Sequence, residues 1–377
     1  LLQSFFIAFI FYDLIKSMSD LNITFYSILP SPYQRDLFAT LARYPEVNLQ
    51  VNYLEMTVDD SPWPQKPLNE YERVLPGFDA RWGSSRFHLN WHVPDFKNTD
   101  IVVLNGYQSF VSQWILKTQS KKIPCLFWGE KMVGSSTGIK GKIQQSFAAS
   151  LNNCRAIAAI GKSAEADYKA RYPHVPVVPI PYYCDLAAFT QNLPERPRQP
   201  ITIIFCGQMI ERKGVDLLLK AFDRLIGEGL EAKLLLVGRE AELPEMLATV
   251  TEKTRQSVDF AGFQAPDDLP QFFQQADIFV LPSRYDGWGV VVNQALGAGL
   301  PIICSDAVGS APDLVDGDNG FIFPVGDESK LYEALRYYLS DPEKIRLASA
   351  ASQRRSPDWS PEAGAQRWVD LFHQVLS

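Results

Sequence analysis

The sequence predicts an α/β protein of two domains, each a parallel sheet with helices on both faces. Apolar runs of strand length alternate with helical patterns along the whole chain, the mark of βαβ units in sheets covered on both sides. A polar, proline-rich stretch, Asn192-Leu-Pro-Glu-Arg-Pro-Arg-Gln-Pro200, splits the alternation into two series and reads as a linker. The chain has 377 residues and is 46% hydrophobic, enough for two cores of ordinary size.

In the first series the expected strands are Ile23–Leu29, Leu49–Leu54, Ile101–Leu104, Cys125–Trp128, Ala156–Ile160 and Val175–Ile180. Helices are expected at Gln34–Ala42, Phe110–Thr118, Ile139–Leu151 and Ser163–Ala170. The second series gives strands Ile201–Cys206, Lys233–Val237, Val258–Phe260, Ile278–Leu281, Ile302–Cys304 and Gly320–Phe323. Its clearest helix is Val215–Ile226, where Val215, Leu218, Leu219, Phe222, Leu225 and Ile226 share one face at helical spacing. These series read as Rossmann-like domains over 18–190 and 191–360, with a last helix in 361–377 carrying Trp368, Leu371 and Phe372. The segment Thr57–Trp91, rich in proline, tryptophan and charge, is expected to be a long loop of the kind that covers a site.

Leu1 to Tyr12 is apolar, but Asp13 and Lys16 interrupt it well short of the roughly 20 residues a membrane helix needs. Residues 1–17 are expected to be an extension outside the fold, with a weak membrane anchor as the alternative. Membrane fractionation of a chain starting at Met18 separates the two.

The net charge of -7 argues against a general nucleic-acid binder. It is uneven: residues 18–190 hold 17 basic and 15 acidic side chains, residues 191–377 hold 18 and 27. The first half is the one suited to an anionic partner. Lys117, Lys121, Lys122, Lys131, Lys140 and Lys142 stand there against Glu130 alone. That run is either a solvated face or a contact for a phosphorylated acceptor or anionic lipid. The five cysteines are scattered without metal-ligand spacing and read as buried, reduced thiols of a cytoplasmic protein.

Chemistry concentrates in the second series. In Ala276–Asp306, an apolar strand leads to the turn Asp286-Gly287-Trp288-Gly289, a short helix carrying Gln294, and another strand. Glycines there let backbone approach a ligand closely, and free N–H groups at a helix start suit phosphate or sugar oxygens. Asp286 either caps that helix or holds a sugar hydroxyl. Upstream, Gly207 ends a strand, and Gln208, Arg212, Lys213 and Gly214 lead into the amphipathic helix, so cation and amides converge as a diphosphate requires. Gly238 and Gly262-Phe263 end two further strands.

These motifs, in order over roughly residues 155–335, resemble the retaining glycosyltransferases of family 4, the glycosyl transferases group 1. Asp286-Gly287-Trp288-Gly289 followed by Gln294 is similar to the family's Glu-Gly-Phe-Gly with a second Glu eight positions after the first. Gln208 to Gly214 is similar to its Arg-x-x-x-x-Lys-Gly, with Lys213 kept and glutamine at the arginine position. Val308–Asp313 resembles Gly-Gly-x-Pro-Glu, and Pro179–Asp185 resembles the family's crossover between domains. The resemblance implies a GT-B fold, two Rossmann-like domains with a cleft between them, the first binding acceptor and the second binding donor. It also implies that the last helix crosses back onto the first domain.

Lys213, Asp286 and Glu130 are the candidate catalytic residues. Gly207, Gln208, Arg212, Gly214, Gly262, Phe263, Gly287, Trp288, Gly289 and Gln294 are the candidate donor contacts. Glu130, at a strand end of the first domain, is either an acceptor-side group or a carboxylate paired with a nearby lysine. The expected activity is transfer of a sugar from a UDP- or GDP-sugar to a glycan, lipid-linked or small-molecule hydroxyl, with retention, in polysaccharide or glycoconjugate synthesis. No metal and no cofactor beyond the nucleotide sugar are implied, and no nucleic acid. The expected location is cytoplasmic, with peripheral contact at the inner membrane face. A nucleotide-sugar epimerase of the same fold, or a non-catalytic nucleotide-sugar binder, are the alternatives.

Overall fold

The computed structural model describes residues 21–57, 66–82, 85–90, 95–132 and 138–377. The expected extension 1–17 and part of the long loop lie outside the described residues. In the first domain the strands are β1 (Leu21–Ser27), β2 (Val47–Tyr53), β3 (Glu72–Val74), β4 (Gly77–Trp82), β5 (Ser85–Asn90), β6 (Ile101–Leu104), β7 (Cys125–Gly129), β8 (Ala156–Ala159) and β9 (Val177–Pro179). Seven of them form one parallel sheet in the order β3-β2-β1-β6-β7-β8-β9. The second domain has β10 (Ile201–Cys206), β11 (Ala232–Val237), β12 (Val258–Gly262), β13 (Ile278–Leu281), β14 (Ile302–Ser305) and β15 (Gly320–Phe323). They form a parallel sheet in the order β12-β11-β10-β13-β14-β15.

Both orders reverse direction at one point, between β1 and β6 and between β10 and β13. Ligands of open α/β sheets bind outside the carboxyl ends of strands at such a switch point. Four helices matter here: α1 (Pro32–Leu41) after β1, α2 (Val215–Gly227) after β10, α3 (Val291–Gly297) after β13, and the terminal α4 (Pro361–Leu376). Helix α2 buries the apolar face read from its sequence, including Leu218, Phe222 and Leu225.

The segment expected as one long loop is partly ordered structure. Strand β3 joins the sheet edge because Arg35 holds buried Glu72 with two bonds of 2.9 and 2.7 Å, and the Tyr53 hydroxyl donates to the same carboxylate at 2.6 Å. Strands β4 and β5 pair as an antiparallel hairpin, with Phe78 opposite Leu89 and Ala80 opposite Phe87.

The linker also differs from expectation. Arg196 is buried and donates to the carbonyls of Ala276, Ala298 and Phe273 at 2.8, 2.9 and 3.2 Å, so the second half of the proline-rich stretch is fixed to the second domain. Three carbonyl acceptors offset the cost of burying the guanidinium.

Aromatic side chains seal the two domains together. Trp368 of α4 lies 5.3 Å from Phe25 and 5.4 Å from Trp128 of the first domain. Tyr182 bridges Trp128 at 5.1 Å and Trp288 at 6.4 Å, and Tyr183 stacks on Trp359 at 5.7 Å. Edge-to-face pairs of this kind add roughly 0.5–1.5 kcal/mol each beyond burial. All five cysteines are free and buried.

Candidate functional site

Two chain segments leave the second sheet at its switch point and meet again in space. After β10, a turn of 3-10 helix, Glu211–Lys213, brings Lys213 to the strand ends. Its Nζ donates to Asp286 Oδ2 at 2.6 Å, with both side chains mostly buried. Gly214 makes this possible: its φ is +73°, and any Cβ there would land on the Pro282 carbonyl oxygen at the end of β13. Arg212 donates to the Tyr285 carbonyl at 2.9 Å, which places a second cation at the mouth of the site. Arg284 forks onto Asp216 with two bonds of 2.7 Å and fixes the start of α2 beside that turn.

Gly207 and Gly238 bring the β10 and β11 ends together; a Cβ on Gly238 would strike the Gly207 carbonyl. Gln208 follows, half-buried. Gly262 has φ +72° with open space beside it, and Phe263 is 45% exposed at the sheet edge. Gln294 lies in α3 and lines the interdomain cavity, and its Oε1 is buried without a hydrogen-bond partner. That cavity has a volume of about 690 Å³; Tyr33 and Asp36 line it from the first domain, Asp267, Val290 and Val291 from the second.

Trp288 sits differently from its neighbours in the turn. Its side chain is 1% exposed, its Nε1 donates to Asn293 at 2.9 Å, and its ring fills the space left by Gly161 of the first domain. The indole belongs to the seam between domains, so only the backbone at this position is available to a ligand. Gly287 and Gly289 flank it, the latter with φ +83°.

Glu130, which follows β7, reaches across to this turn. A Cβ on Gly287 would collide with the Glu130 carboxylate, so the absence of a side chain at 287 is what admits the acid. Burial and then the Asp286 carboxylate push the Glu130 carboxyl up to about 7; a hydrogen bond from Tyr182 and the charge of Lys213 pull it down only in part. A chain of polar groups backs Tyr182: Ser27 donates to Gln34 at 2.7 Å, Gln34 to Asn105 at 3.2 Å, and Asn105 to the Trp128 carbonyl at 2.9 Å. The structure thus brings Lys213, Asp286, Glu130, Gly214, Gly287 and Gly289 to one place. Asp36, Tyr33 and Tyr182 were not legible as site residues, because only the closing of the two domains puts them there.

Glu130 is neutral in the fold at pH values where the unfolded chain would ionise it. Its contribution to stability is therefore full below about pH 4.5 and is lost as pH rises through about 7. Glu130→Gln is expected to match the wild type in urea titrations at pH 4 and to exceed it by about 1–3 kcal/mol at pH 8. A difference independent of pH would show that the carboxyl is not buried in this way.

The sequence is 29% identical over 211 residues to a GDP-mannose-dependent monoacylated alpha-(1-6)-phosphatidylinositol monomannoside mannosyltransferase of Corynebacterium glutamicum, covering 51% of this chain and 55% of that one. It is 30% identical over 214 residues to a phosphatidyl-myo-inositol mannosyltransferase of Mycolicibacterium smegmatis, covering 53% of this chain and 54% of that one. The chain spans about half the length of these curated relatives. Among solved structures, sucrose-phosphate synthase from Thermosynechococcus elongatus superposes with a TM-score of 0.71 at 19% identity, covering 94% of this chain and 99% of that one. Anabaena Alr3699/HepE in complex with UDP gives 0.69 at 13% identity, covering 94% and 100%. Residues 200–341 match the family described as glycosyl transferases group 1; the chain has the GT-B fold, and its second domain belongs to that family.

Proposed function

We propose that this protein is a retaining glycosyltransferase that moves a sugar from a UDP- or GDP-sugar to a hydroxyl acceptor, in polysaccharide or glycoconjugate synthesis. The observation that carries this reading is the Lys213–Asp286 pair at the switch point of the second sheet, facing a first-domain carboxyl across the cleft. The diphosphate lies against Lys213, with Arg212 at its rim and the amides of the Gly287–Gly289 turn around the sugar. As the bond from the anomeric carbon to the diphosphate breaks, negative charge develops on the leaving oxygen, and Lys213 stabilises it. The acceptor oxygen forms its bond to the same face, and its proton passes to the departing diphosphate. Asp286 holds a donor-sugar hydroxyl, and Glu130 lines the acceptor side. Closing the domains over the donor excludes water and limits hydrolysis. The reading uses no metal and no further cofactor.

The lipid substrates in the names of the mannosyltransferase relatives support a lipid-linked acceptor, alongside glycan or small-molecule ones. Among the described residues no helix is long and apolar enough to cross a membrane. Peripheral contact would use the lysine face of the first domain, where Lys117, Lys121, Lys122 and Lys142 are exposed. Binding to liposomes that ignores anionic lipid content and salt contradicts that part.

A panel of UDP- and GDP-sugars, assayed for donor consumption and anomeric outcome, tests the activity. Slow hydrolysis of one donor, with retention, is expected. Isomerised donor without hydrolysis indicates an epimerase, and binding without turnover a non-catalytic binder.

A further inference from the structure

We infer that the interdomain cavity takes the ribose of the nucleotide, and that Asp36, lining it from the first domain, supplies the anionic acceptor that the uncharged Gln294 of the second does not. The inference rests on the nucleotide-sugar reading above and names a residue that the second domain's motifs do not contain. A carboxylate is the natural partner for a ribose diol, since it accepts from both hydroxyls and hydrogen bonds to an ionised acceptor are the stronger ones. Gln294 offers one neutral acceptor and two donors instead. Its Oε1 is buried in the cleft without a partner, an arrangement that costs free energy until a donor arrives. A hydroxyl is such a donor, but one amide oxygen cannot serve a diol as a carboxylate can.

Asp36 faces the same cavity from helix α1. Its Oδ2 accepts from the Asp185 backbone N–H at 3.0 Å, which fixes the carboxyl in place. Among the described residues Oδ1 has no hydrogen bond of its own, so one lone-pair face stays open to a ligand. The chain that Asp36 grips runs directly to the helix bearing Gln294: Leu186 and Phe189 pack on Gly297, one turn beyond Gln294. That connection links helix α1 of the first domain to helix α3 of the second, and both residues line the one cavity. Burial, then neighbouring Asp185, hold the carboxyl up at about 6, against the bond from the Asp185 amide and the charges of Lys66 and Arg35. A carboxylate kept this poorly solvated is relieved by two hydroxyl donors. Lys66 also pairs with Asp267 of the second domain at 2.9 Å, which closes the same wall of the cavity.

Calorimetric titration with UDP, GDP and their 2′-deoxy and 3′-deoxy forms tests the inference. The wild type is expected to prefer the ribonucleotide about 10-fold or more over each deoxy form, and Asp36→Asn to reduce that preference to about 2-fold. Restoring a carboxylate from the other side, in Asp36→Asn with Gln294→Glu, should recover it. A residue that only tethers the Asp185 backbone would lower stability and leave the ribo-to-deoxy ratio unchanged; that result overturns the inference. The wild type alone also decides: nucleotide binding without discrimination against deoxy forms refutes it even if the variants fail to fold. If the wild type binds neither UDP nor GDP, the nucleotide-sugar reading itself falls.

Discussion

Replacing Lys213 by alanine is expected to lower kcat for sugar transfer by about 10²–10³-fold. The ammonium lies at the switch point, 2.6 Å from Asp286, whereas Arg212 stays at the rim on the Tyr285 carbonyl. Without it the developing charge on the leaving diphosphate is left with the Asp286 carboxylate beside it and the rim cation Arg212 alone to offset it. The ground state suffers as well, because Asp286 is left mostly buried and unpaired. Since the Lys213 charge also lowers the Glu130 carboxyl, its loss should drive Glu130 further toward the neutral form. Lys213→Arg keeps the charge but not the compact point geometry, so activity between wild type and alanine is expected. Steady-state kinetics with the preferred donor give the result directly. A kcat for Lys213→Ala within a few-fold of wild type would remove the lysine from the reaction.

The largest structural effect is expected from Gly214→Ala. Position 214 has φ +73°, where an L-residue costs about 1–2 kcal/mol. The new Cβ would also meet the Pro282 carbonyl, part of the backbone that carries the loop to Asp286. A flexible side chain could swing away, but this oxygen cannot. Overpacking adds about 1–3 kcal/mol, so a total loss of about 2–5 kcal/mol is expected in urea unfolding, with donor binding impaired because Lys213 is displaced from Asp286. Gly227→Ala is the control, since it lies in helix α2 with open space around it and should be neutral or stabilising by about 0.5–1 kcal/mol. Equal effects at the two positions would show that the close approach at 214 is not needed.

Both predictions concern parts of the molecule that local sequence announces well. Strand, glycine, cation and amphipathic helix follow one another from Phe205 to Ile226, and each is set by neighbours within a turn or two. The hairpin β4–β5 carried a readable signal too: Phe78, Ala80 and Trp82 alternate with Asp79 and Arg81, the two-residue period of a strand. Strand β3 had none, because the Arg35–Glu72 pair, 37 residues apart, holds it in place. The same holds for the seam. Phe25, Trp128, Tyr182, Trp288 and Trp368 are spread over the whole chain, and nothing local distinguishes a tryptophan that meets a ligand from one that meets another domain. The indole of Trp288 proved to be the second kind. Glu130 stood open between two readings for that reason: its character comes from Gly287 and Asp286, which the fold alone brings near it.

A crystal structure of the protein soaked with UDP or GDP tests the central claim most directly. The pyrophosphate should lie within about 3 Å of Lys213 Nζ, against the Gly287–Gly289 turn, with the nucleoside running toward Gln294. A nucleotide bound away from that turn, or a cleft still empty at saturating concentration with the Lys213–Asp286 pair unchanged, would contradict it.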